Sequence, residues 1–77
     1  MNECLTLNTL KPLQSARITN MINADGVRRR LHEIGLIEGT LVTCLFVSPM
    51  GDPTAYLIRG AVIALREDDT SGIVIGD

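Results

Sequence analysis

Apolar and polar positions alternate in short runs along most of this chain, and one stretch breaks the two-residue period. Leu5-Thr6-Leu7 alternates and predicts a first strand, with a loop after it at Lys11-Pro12. Residues 14–20 predict a second strand with Ala16 and Ile18 on one face. Val27, Leu31 and Ile34 then follow at i, i+4 and i+7, a narrow stripe that predicts a helix over Gly26–Ile34. Asp25 is placed to cap its orphan N–H groups. Gly35 suits the left-handed position that ends a helix, and Leu36 can fold back on the last turn. A helix this short depends on packing for its stability.

Strand character returns at Leu41. The segment Leu41–Val47 (LVTCLFV) is apolar on both faces and rich in strand formers, which predicts a strand with its outer side covered. Pro49-Met50-Gly51-Asp52-Pro53 is a loop by composition. Thr54–Ile58 returns along it, Arg59-Gly60 is a two-residue connection with Gly60 supplying the positive φ, and Ala61–Leu65 is the next strand. Glu67–Ser71 is a polar turn with room for one turn of 3₁₀ helix, and Ile73-Val74-Ile75 closes the chain as the last strand. The order specifies a mainly β fold, a small SH3-like barrel with one short helix. An OB-fold is the alternative, but its strands are longer and its helix usually falls between the third and fourth of them.

Size and charge narrow the function. Seventy-seven residues predict one domain, 1–77, with a core that must be aliphatic, because Phe46 and Tyr56 are the only aromatic residues. The net charge of −2 opposes a nucleic-acid binder, which needs a basic face to displace counterions from phosphates. The scarcity of rings removes the stacking that holds single strands. No run approaches the ~20 apolar residues of a membrane span, so direct membrane insertion is not expected. The N-terminal MNECLTLNTLKP lacks the basic and apolar regions of a signal peptide, so the cytoplasm is the expected location and Cys4 and Cys44 are expected to be reduced.

Candidate chemistry is sparse. His32 is the one histidine and falls on the polar helix face with no nucleophile placed beside it, so no enzyme activity is expected. Cys4, His32 and Cys44 lack metal-ligand spacing, and Cys44 lies in an apolar strand; no metal site and no cofactor are expected. Glu67-Asp68-Asp69 reads as a solvated turn. Arg28-Arg29-Arg30 point about 100° apart on a helix and cannot form one patch, while Arg29 can pair with Glu33 at i+4. Met50 either caps the barrel or projects from its loop as an adaptable apolar contact. The candidates for partner contact are therefore Met50 and Asp52 in the loop, with Arg29 and His32 on the helix.

Three motifs carry a family resemblance. Arg30–Thr40 (RLHEIGLIEGT) is similar to the "RLxxLGLxPGT" segment of the ferrous iron transport protein A (FeoA) family. Pro49–Pro53 resembles its "PLGDP", and Arg59-Gly60 with Ile63–Arg66 resembles its "RGxxLALR". Leu5–Ser15 also fits the family's opening, so the resemblance covers essentially the whole chain. It implies an SH3-like domain of the bacterial cytoplasm that serves as accessory or regulatory partner to the cytoplasmic GTP-binding part of a membrane ferrous iron transporter. The same fold ends some metal-dependent repressors, so a metal-responsive regulatory domain is an alternative, and a small nucleic-acid-binding barrel is a third. Glu38 stands where the family usually has Pro, Met50 replaces Leu, Ala61 stands where a bulkier residue is common, and Leu13-Gln14 replace the usual turn residues.

Overall fold

The computed structural model describes residues 5–76. The elements are β1 (Leu5–Thr6), a 3₁₀ turn (Leu7–Thr9), β2 (Ser15–Met21), helix α1 (Asp25–Glu33), β3 (Leu41–Val47), β4 (Thr54–Ile58), β5 (Ala61–Leu65), a single helical turn α2 (Glu67–Thr70) and β6 (Ile73–Gly76). The strands form one antiparallel sheet in the order β1-β6-β2-β3-β4-β5. This is the mainly β, SH3-like architecture with one short helix that the alternation predicts. The first strand is shorter than its pattern, because the backbone turns into the 3₁₀ helix at Leu7 and buries that side chain completely. The polar turn at Glu67 forms an α-helical turn rather than a 3₁₀ one.

The core is aliphatic, as the composition requires. Leu7, Ile18, Leu31, Leu36, Val42, Ile58 and Ile73 are all buried around Tyr56, and Cys44 fills a small gap among them. Each large aliphatic side chain buried this way contributes about 2 kcal/mol. Register carries the alternation across the sheet: Val42 pairs Ile58, and Cys44 pairs Tyr56, which pairs Ile63. Two irregularities curve the sheet. The β3–β4 register shifts between Cys44 and Phe46, leaving Leu45 as an extra residue, and the β2–β6 register shifts between Ile18 and Asn20. Such bulges increase local twist and bend a sheet.

Helix α1 departs from its sequence reading at both ends. Asp25 is the first helical residue, with Ala24 at the cap position and no side-chain capping bond; the Asp25 carboxylate instead accepts from Arg28 at 2.7 Å. Ile34 lies beyond the last helical residue and is 41% exposed, so the buried stripe is Leu31 with half-buried Val27. Leu36 replaces Ile34 in the core. It is fully buried because the chain reverses at Gly35 (φ +99°), where Leu36 N–H donates to Leu31 C=O at 3.0 Å and Gly35 N–H to His32 C=O at 3.0 Å. These two bonds are the C-terminal cap that glycine permits.

The turn after β4 also differs. Arg59 (φ +52°) and Gly60 (φ +85°) are both left-handed, so Gly60 alone does not make this connection. A two-residue hairpin turn of this kind needs positive φ at both central positions. Leu13 is likewise left-handed (φ +73°).

Candidate functional site

The four expected contact residues divide between two elements. Met50 lies at the apex of the β3–β4 loop and is 90% exposed, so it does not cap the barrel. The loop around it is closed by its own backbone: Gly51 N–H donates to Ser48 C=O at 2.8 Å and Ser48 N–H to Pro53 C=O at 3.1 Å. Asp52 turns the other way. Its Oδ1 accepts from Glu67 N–H at 3.0 Å, at the start of α2, and its Oδ2 lies 3.7 Å from Arg66. Arg29 and His32 stand exposed on α1, and no hydrogen bond or ion pair joins them to the loop among the described residues. Arg29 does not pair with Glu33.

The acidic run is not simply solvated. Asp69 is half-buried and accepts from Arg30 at 3.1 Å, and its backbone carbonyl accepts from Asn23 at 2.9 Å. Together with Asp52, these bonds fasten α2 to the loop on one side and to α1 on the other. The three consecutive arginines separate as their helical spacing requires: Arg28 pairs with Asp25, Arg30 with Asp69, and Arg29 with neither.

The outer side of β3 is not covered, contrary to the sequence reading. Register sets Phe46 beside Ala55 and Ala64 in one row, where Ala55 is buried, and Thr43 beside Leu57 and Val62 in another. Phe46 (59% exposed) and Val62 (63%) leave this face apolar and open. The bulge at Leu45 is the physical reason the strand looked apolar on both sides, because one extra residue breaks the two-residue period.

Among the described residues no group of three or more His, Cys, Asp or Glu side chains could hold a metal ion. Cys4 lies outside the described residues. Cys44 is enclosed in the core, and burial pushes its thiol pKa up, which keeps it protonated and unreactive. Burial likewise raises Tyr56, with Cys44 adding to the shift and the hydroxyls of Thr70 and Thr54 partly opposing it.

A second surface was not legible in the sequence. At the opposite end of β3 and β4 from Met50, an open cleft of about 540 Å³ is lined by Arg17, Ile37, Glu38, Leu41, Leu57 and Arg59, among others. The segment before β3 forms its floor, held to β2 by Ile18 N–H donating to Thr40 C=O at 3.0 Å and Gly39 N–H donating to Ile18 C=O at 2.7 Å. The local sequence shows Arg59 only as half of a turn, and nothing in it places Arg17, 42 positions earlier, at the same hollow.

A family described as the FeoA domain matches residues 5–76. Comparison with curated proteins returned no match. Among solved structures, the FeoA protein from Chlorobium tepidum superposes with a TM-score of 0.86 at 31% identity, over 92% of this chain and 68% of that one. FeoA of Stenotrophomonas maltophilia complexed with zinc, described as a prokaryotic SH3 domain protein, gives 0.81 at 26% identity over 94% and 89%. A likeness of fold alone extends to T. acidophilum IdeR, with a TM-score of 0.83 at 24% identity over 97% of this chain and 34% of that chain.

Proposed function

Because the chain belongs to the FeoA domain family, we propose that it is a single-domain accessory and regulatory module for a membrane ferrous iron transporter. It works in the cytoplasm, binds the transporter's GTP-binding part and performs no catalysis of its own. No helix of the described residues is long and apolar enough to cross a membrane, which is consistent with a partner that docks rather than inserts. The one observation that carries the reading is Met50. A large apolar side chain is held in solvent by a loop whose backbone bonds fix it there, and Phe46 and Val47 expose further apolar surface where β3 enters the same loop. Covering such surface on a partner is favourable, and the flexible thioether adapts to the surface it meets.

The test is retention of this chain on the immobilised cytoplasmic GTP-binding domain of the transporter. Met50→Asp is expected to leave the melting temperature unchanged, since exposed substitutions shift stability by less than about 0.5 kcal/mol, and to weaken retention at least about tenfold, as loss of a central apolar anchor does. A stable Met50→Asp chain retained as well as the parent would overturn the loop as the contact.

A further inference from the structure

Arg17 and Arg59 share the cleft at the β4–β5 turn, and neither meets a carboxylate among the described residues. Arg28, Arg30 and Arg66 are each paired, and Arg29, the other arginine without a carboxylate partner among the described residues, stands on α1 outside the cleft lining. The Arg17 guanidinium and the Arg59 stem are each placed by a neighbour. Arg17 Nη1 donates to Gly39 C=O at 3.0 Å, leaving the rest of its donor fork free. Arg59 leaves a left-handed backbone, and its stem crosses Gly35 so closely that a β-carbon there would lie 3.1 Å from Arg59 Cδ. Ile37, Leu41 and Leu57 give the cleft partly exposed apolar walls. Glu38 contributes one carboxylate against the two cations.

We infer that this cleft docks a segment of a partner protein in which a carboxylate side chain is flanked by apolar residues. The guanidinium fork matches a carboxylate in shape as well as charge. Apolar walls on either side take up the flanking side chains and reduce the water that would screen the ion pair. The cleft opens broadly to the surface, which fits a stretch of polypeptide better than an enclosed metabolite. Glu38 and the net negative charge disfavour a polyphosphate backbone. The cleft and the Met50 loop lie at opposite ends of the seven-residue β3, whose six steps span about 20 Å. This site therefore stands whether or not the Met50 loop is a transporter contact.

Fluorescence anisotropy with a labelled peptide, Ser-Gly-Leu-Glu-Leu-Gly-Ser, tests it, with a Leu-Gln-Leu counterpart as control and amide chemical shifts to locate the site. The glutamate peptide is expected to bind with shifts at Gly39, Leu41 and Gly60. Its affinity is expected to fall about three- to fivefold in the glutamine peptide and in Arg59→Gln, the size of a partly exposed ion pair, and to fall with added salt. Glu38→Gln is expected to tighten binding, and Arg29→Gln to leave it unchanged. Arg17→Gln also removes the bond to Gly39, so Arg59→Gln carries the charge test. Equal binding of the two peptides overturns the inference, as does an equal loss in Arg29→Gln or an absence of cleft shifts at millimolar peptide. So does sedimentation showing that the free chain dimerises and that Arg59→Gln abolishes the dimer, because the occupant is then a second copy.

Discussion

Gly35 meets two demands at one position. It adopts φ +99° to end α1, and it leaves space for the Arg59 stem. The first was readable from its place after a short apolar stripe; the second joins residues 24 apart and was not. Gly35→Val is expected to destabilise the fold by at least about 1 kcal/mol, since a β-branched residue resists the left-handed region. For a chain of this size that lowers the melting temperature by roughly 4–8 °C, and an unchanged value would show that the cap tolerates a side chain. Cys44 makes a second residue-scale prediction. Its pKa is raised above the ordinary 9.0 by burial. As pH rises past 9.0 the unfolded chain releases this proton while the folded one keeps it, so the unfolded state binds fewer protons and stability falls with pH. The loss begins near pH 9 and continues until the folded thiol itself titrates. Denaturant midpoints from pH 8 to 10.5 are expected to fall, and to fall less steeply in Cys44→Ala; parallel curves would show that the thiol is not the cause.

At the scale of elements, α2 shows how a short polar run becomes structure. A four-residue helix has little stability of its own. Here it is fastened by Asp52 accepting from Glu67 N–H and by Asp69 pairing with Arg30. Composition marked Glu67-Asp68-Asp69 only as solvated, because the partners lie 15 and 39 residues away in sequence. Asp52→Ala is expected to cost about 1 kcal/mol, the net value of one such hydrogen bond, with little from the Arg66 pair, which is exposed. A chain that keeps its melting temperature but loses retention on the transporter domain would instead make Asp52 a partner contact. Within α1, the stripe identified the helix correctly, yet the side chain that completes its buried face is Leu36 rather than Ile34. Helical period alone does not say where the period stops.

For the whole molecule, the strand order places β1 and β5 at the edges and β6, β2, β3 and β4 inside the sheet. Amides of the inner strands are expected to exchange most slowly with solvent and those of β1 and α2 fastest, because local opening is cheapest where partners are fewest. Hydrogen exchange resolved by residue checks this. Protection in β5 equal to that in β3 would mean that another chain pairs with its edge. The two exposed surfaces also belong to this scale: the Met50 loop and the arginine cleft occupy opposite ends of the same strands, with the open face of Phe46, Leu57 and Val62 between them.

The sequence by itself determined most of the elements, their order and the SH3-like class, because alternation, the Val27–Leu31 stripe and the glycines at turns are local signals that act through neighbouring residues. It also determined the family, through three spaced motifs covering nearly the whole chain. Only the tertiary structure decided which faces are covered and which side chains meet. The register of β3 shifted at Leu45 and its outer face stayed bare, the loop backbone held Met50 in solvent, Asp52 turned toward α2, and Arg17 and Arg59 came to one cleft. Each of these depends on register or on contacts between residues distant in the chain, and neither is encoded in any short window of sequence.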